Sequence, residues 1–472
     1  MKIKTGSQPW GSALLATLLT VFIVAMALAS FLTMVSVQHQ STLRSQSWNS
    51  AVPAMEAGVE EALTQIYHHG TTNFSTSDGW RLNAADGFYH NIGRLKIGDS
   101  KEVYSYDVGI KPPTVPGPDQ PVIECLGYAP APLNLATSYR SPYGMILGGL
   151  VPTYSPDIPT TKRKVRVIAK RQTPVSYAML AKGQINMNGN NIATDSFDSA
   201  DPAHSNNGRY DPARDKDKGD VATNSGLVNS FSAGNADIKG HVSTGPNGSV
   251  AIGSNGSVGD AFWVSSGESG IEPGWSSNDA NVDIPDAKLD FSPVAKPSGG
   301  QYPALTGPVY DYILYANHDY ILSSFHGNIL VLGPGTARVY VDSSFYLSGT
   351  DQVTINPEAG LQVYVAAASA TIGGNGIVNN TGDAMAFQYY GLSSNTALNF
   401  IGNASFTGVI YAPYADFKLN GGGNNGYDFV GASVTRSVTM NGHFHFHYDE
   451  NLARRFPIAQ YVVFSWNEIS PN

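Results

Sequence analysis

FTGVIYAPYADFKLNGGG, residues 406–423, is the stretch on which the fold turns. Ala415, Phe417 and Leu419 alternate with Asp416, Lys418 and Asn420, the two-residue period of a strand with one buried face. Three glycines then break the run, as tight turns require. A unit of this kind (apolar, small or polar, then glycine) recurs as LSG at 347–349, IGG at 372–374, FIG at 400–402, LNG at 419–421 and MNG at 440–442. Successive final glycines lie 25, 28, 19 and 21 residues apart. That spacing suits one coil of a β-solenoid better than a propeller blade of about 40 residues. It predicts a right-handed β-helix over residues 300–472, ending in a C-terminal strand. A sandwich or jelly roll with irregular turns is the alternative.

Moving outward, residues 173–299 carry Asn-Gly turns at short spacing, in INMNGNN (185–191) and GPNGSVAIGSNGSVGD (245–260). This reads as a Gly/Asn-rich β region and loops leading into the solenoid. ARDKDKGD (213–220) sets Asp215, Asp217 and Asp220 in a calcium-loop-like run, but Lys218 interrupts it. A solvated charged loop fits better. Further upstream, EVYSYDVGI (102–110), PVIECLGYA (121–129) and KRKVRVIAKR (162–171) are three strand-like runs. In the last, Val165 and Val167 alternate with Lys164 and Arg166, a strand with one solvated basic face.

The chain of 472 residues is long enough for two or three domains. Its 50 glycines and 14% charged residues make it mainly β. A net charge of −9 excludes sequence-independent attraction to nucleic acid. Cys125 is the only cysteine, so there is no internal disulfide and no cysteine-rich zinc site.

At the N-terminus, Ser12 to Val37 is a run of 26 uncharged residues preceded by Lys2 and Lys4. As a helix it measures about 39 Å, enough to cross a bilayer with tilt. The basic leader puts the N-terminus in the cytoplasm and the rest outside. A secretory signal cut before Ser30 is the alternative, but the apolar run continues through SFLTMVSV. Beyond it, AMEAGVEEALTQI places Met55, Val59, Leu63 and Ile66 on one helical face, with Pro53 just before.

GSALLATLLTVFIVAMALASFL (11–32) followed by AMEAGVEEAL (54–63) resembles the N-terminal region of PilX-type minor pilins of type IV pili. The resemblance implies a leader over 1–11 and cleavage between Gly11 and Ser12 by a prepilin peptidase. It implies a pilin-like helix over 12–70 and a small antiparallel-sheet head over 71–172. The glutamate that most major pilins carry five residues into the mature helix is here Ala16. The segments at 177–201, 406–423 and 428–450 resemble a β-helical domain found at the C-terminus of pilin-like bacterial surface proteins.

The best site for chemistry is HFHFHYDE, residues 443–450. On a strand His443, His445 and His447 share one face, read here as the outer one, while Phe444, Phe446 and Tyr448 point inward. Three imidazoles beside Asp449 and Glu450 could hold zinc or another divalent ion. Alternate residues lie roughly 6.5–7 Å apart along a strand, so two imidazoles converge on one ion more readily than three. A polar outer face closing the last coil is the plainer reading, and no cofactor is expected. The resemblance implies that His447, Asp449 and Glu450 form a structural lock.

Glycan cleavage would need converging carboxylates, yet Asp342, Asp351, Glu358, Asp383 and Asp416 are scattered. Tyr389, Tyr390, Tyr411 and Tyr414 could stack on sugars or fill a core. The expectation is therefore a non-enzymatic, single-pass inner-membrane protein with its C-terminus outside the cytoplasm, at the cell surface or in a pilus. Its partners would be other pilins or pilus assembly proteins, and surface polysaccharide for an adhesive domain. A pseudopilin of a type II-like secretion system is a further alternative.

Overall fold

The computed structural model describes residues 10–70, 74, 78–96, 103–113, 120–130, 160–189, 191–402, 406–421, 427–441 and 443–471. Lys2, Lys4 and most of the expected leader lie outside them, as does the 131–159 connector. The chain forms two compact units, residues 1–171 with 460–472, and residues 172–459.

The first unit begins with one helix, Trp10–His69, of 60 residues. It runs through Pro53 without a break. Along its first half the apolar side chains from Leu14 to Val37 are exposed. In its second half Ala51, Ala54, Met55, Val59, Ala62 and Ile66 are buried. They pack on a six-stranded sheet whose order is Arg81–Asn83, Phe88–Lys96, Val103–Lys111, Val122–Pro130, Thr160–Gln172 and Gln460–Ile469. The first five strands pair antiparallel. Alternation places Val108, Ile110, Ile123, Cys125, Val165 and Val167 under the helix. Glycine lets the two layers meet: a Cβ on Gly58 would stand 2.4 Å from Cys125 Sγ, and one on Gly127 2.6 Å from the Ala51 carbonyl oxygen. The buried Cys125 thiol is pushed up to about 12, first by burial and then by Asp107. The basic face of Thr160–Gln172 is not free, for Lys164 and Arg166 both pair with Glu124, at 2.7 and 2.5 Å. Arg163 forks onto Glu468 at 2.7 and 2.6 Å, fastening the last strand to this sheet.

The second unit is almost wholly parallel. A 20-stranded sheet makes up most of it, beside a five-stranded sheet that begins at Ser298–Gln301. Rows of facing residues run across the strands. One passes through Tyr320, Val339, Val363, Tyr389, Ile410, Ser433, Met179, Val221 and Val242, all buried. A second passes through Phe406, Phe429, Phe446, Thr194, Ile238 and Val258. Its phenylalanine rings stack at 4.5 and 4.2 Å.

The β-solenoid expected over 300–472 does not stand. The sheet through these rows is a closed parallel barrel, not a clear right-handed β-helix. Its late strands Tyr427–Met440 and Phe444–Asp449 pair with its earliest, Met179–Ala181, Ile185–Met187 and Ala193–Phe197. Residues 173–299 therefore complete the same rows instead of leading into them, and Gln460–Ile469 belongs to the first unit. The glycine spacing correctly marks turns, with positive φ at Gly349 and Gly374, and matches the steps between partners from Tyr320 to Ser433, but it says nothing of the strands from Met179 onward that extend the row. Strands pair where buried faces match, and Met179 and Leu180 match Ser433 and Val434 from the other end of the unit.

Candidate metal centre

Three adjacent parallel strands build the site. In Phe444–Asp449, Phe444 and Phe446 point into the core and His445 and His447 take the opposite face. Register sets Asp428 beside His445 on one neighbouring strand and Asp195 beside His447 on the other. His447 Nδ1 lies 2.7 Å from Asp195 Oδ1, and His447 Nε2 lies 3.3 Å from Asp428 Oδ1. His445 Nδ1 is 3.8 Å from the same Asp428 oxygen, and its Nε2 is 3.3 Å from the Asn191 amide. The Tyr210 hydroxyl donates to Asp195 Oδ2 at 2.8 Å, while its ring lies over the His447 imidazole with centroids 3.6 Å apart.

This geometry corrects the outward placement of the imidazoles at His447, while His443 and His445 are partly exposed. His447 is only 4% exposed, because the Tyr210 ring and Asp195 cover it. His443 precedes the strand and stands apart from the group formed by Asp428, His445 and His447, whose ligand atoms all lie within 4.8 Å of one another. Burial pulls the His447 imidazole toward its neutral form, but the hydrogen bonds to Asp195 and Asp428 outweigh it and raise its pKa. The bond from His447 holds Asp428 below the usual carboxylate range, against the effect of burial. Burial, with Asp195 beside it, pushes the Tyr210 phenol up.

Asp449 and Glu450 lie outside this group. Asp449 is buried and accepts from the Ser199 and Asn451 backbone at 3.0 and 3.1 Å. Burial pushes its carboxyl up. Glu450 accepts from Ser196 Oγ at 3.1 Å and pairs with Lys216 and Lys218 at 2.8 and 3.3 Å. Arg454 meets Asp198 nearby. Gly11 and Ser12 fall in the backbone of the long helix.

The other candidates are engaged separately. Asp215 pairs with Lys239 and Asp220 accepts from the His241 backbone, so the calcium-like run does not converge. Asp383 is held by Arg455 and Asp416 by Arg436. Tyr389, Tyr390 and Tyr411 are buried, as core filler. Asp428, Asp195, Tyr210 and Asn191 were not legible as site residues. The available signal was an aspartate within a strand beside phenylalanine, in DF at 428–429 and DSF at 195–197, where strands seldom carry one.

Residues 327–455 match a family model described as a domain of unknown function (DUF7305), which covers well under half of the chain. No curated protein matches. Among solved structures, the competence-associated pilin ComZ from Thermus thermophilus is similar over 90% of this chain and 98% of its own, at 11% identity and a TM-score of 0.25. Likeness at that level fixes neither fold nor activity.

Proposed function

We propose that this chain is a membrane-anchored, type IV pilin-like protein of the minor-pilin kind, whose β-rich second unit serves as a non-catalytic binding or adhesive domain outside the cytoplasm. The observation that carries this reading is the helix Trp10–His69. One half is apolar, exposed and long enough to cross a bilayer. The other half, including Ala54, Met55 and Gly58 of the AMEAG segment, packs on an antiparallel sheet. A single rod that anchors at one end and carries a small sheet at the other is the pilin plan. The glycan-enzyme reading is weaker, since Asp383 and Asp416 face arginines and Tyr389, Tyr390 and Tyr411 are buried. Other pilins, pilus assembly proteins and surface polysaccharide are the partners this reading calls for. Co-purification with pilus or with secretion components would separate a pilin from a pseudopilin.

The test is the native protein's fate. It should resist alkaline extraction from inner membranes or sheared filaments, and its mature N-terminus should be Ser12. A soluble product starting at Ser30 would overturn the proposal.

A further inference from the structure

The geometry points to a mononuclear divalent-cation site of the zinc class, with His445 Nδ1, His447 Nε2 and one Asp428 oxygen as ligands and its fourth position open to solvent. Three features support it, none of them dependent on the pilin reading.

The first is the donor set. Two imidazoles and one carboxylate are what a zinc centre with three protein ligands uses. The second is spacing. Two ligands at about 2.05 Å from a tetrahedral ion stand about 3.3 Å apart. The His447 Nε2 to Asp428 Oδ1 distance is 3.3 Å. His445 Nδ1 is 3.8 Å from the same oxygen, and both side chains are exposed enough to turn inward, at 32% for His445 and 54% for Asp428.

The third is the support behind His447. A metal-bound histidine is commonly oriented by a carboxylate on its other nitrogen, which fixes its tautomer. Here Asp195 sits on Nδ1, leaving Nε2 to face Asp428. Asp195 is itself held by the Tyr210 hydroxyl, and the Tyr210 ring fixes the imidazole plane. The ligand that could move least is thus locked on three sides. For His445, Nε2 faces the Asn191 side-chain amide. Turning that amide over presents its oxygen to an Nε2–H, which frees Nδ1 for the ion.

The rival reading is an imidazolium clamped between two carboxylates with no ion. To decide, the full chain without an affinity tag is purified in detergent, stripped with a chelator, exposed to Zn²⁺ alone and desalted. Metal content is then measured by mass spectrometry. About one zinc per chain should remain with the wild type and with His443→Ala, and almost none with Asp428→Asn or His445→Ala. Both of the latter alter partly exposed side chains, and their metal-free melting curves establish that they fold. Asp195→Asn should retain the site with affinity weakened about 10–100-fold. The X-ray absorption spectrum of the loaded protein should show nitrogen and oxygen ligands including imidazole. Wild-type protein that keeps no zinc, or Asp428→Asn and His445→Ala chains that keep as much as the wild type, would refute the site.

Discussion

In the first unit the first five strands each have a chain neighbour beside them, as Val103–Lys111 lies between Phe88–Lys96 and Val122–Pro130, and only Gln460–Ile469 joins from afar. In the second, Met179–Ala181 lies beside Tyr427–Met440, from opposite ends of the unit. Both bury apolar rows by the same two-residue alternation. What differs is the distance along the chain over which partners must find each other. Successive antiparallel strands can close through short turns, whereas pairing Met179–Ala181 with Tyr427–Met440 closes almost the whole second unit into one loop, which costs more entropy and slows folding. Long-range rows then have no local substitute when one member is lost.

The sharpest way to break the comparison is to cut a row. Phe429 is 1% exposed and stacked between Phe406 and Phe446. Phe429→Ala should cost the second unit about 3–5 kcal/mol. Calorimetry should show its transition falling while that of the first unit stays in place. Equal shifts in both would mean that the two units unfold together.

A smaller effect is expected in the first unit. A side chain on Gly58 would meet Cys125 Sγ at 2.4 Å and Tyr106 Cδ2 at 2.9 Å, both beneath the helix. Gly58→Leu should lower that unit's transition by about 1–3 kcal/mol through overpacking. An unchanged melting temperature would show that the helix does not pack where the structure puts it.

The same contrast explains what could be read from the sequence. The helix was legible because Met55, Val59 and Ile66 repeat at helical spacing, and all three are buried. The strand with Val165 and Val167 was legible by alternation. The second unit's strands were partly legible from their glycine-ended turns, but its closure was not. The pairing of Ser433 with Met179 leaves no periodic trace, and Ser433 even sets a hydroxyl in an apolar row. The histidine group was half visible for the same reason. His445 and His447 share one strand, while Asp428 and Asp195 reach them only through register with two others. Tyr210 comes from a connecting segment, where no alternation marks it.

The smallest expected effect is in the response to acid, where a carboxyl in each unit is held low and only one is altered. In the first, burial pushes the Glu124 carboxyl up, but Lys164 and Arg166 outweigh it and leave it below the usual range. A carboxyl with a lower pKa folded than unfolded stabilises fully above the unfolded value, and that stability is lost as pH falls through the folded one. The first unit should therefore lose stability as pH drops from about 5 toward 3, by no more than about 1 kcal/mol for this pair-forming surface group. Glu124→Gln should lower its melting temperature at neutral pH and meet the wild-type curve in acid. Asp416 in the second unit is likewise held low, against burial, by Arg436 and Ser437. It supplies the internal control, since the second unit's acid limb should be the same in both proteins. If Glu124→Gln left the first unit's melting temperature unchanged at neutral pH, the Glu124 pairs would be no source of its stability.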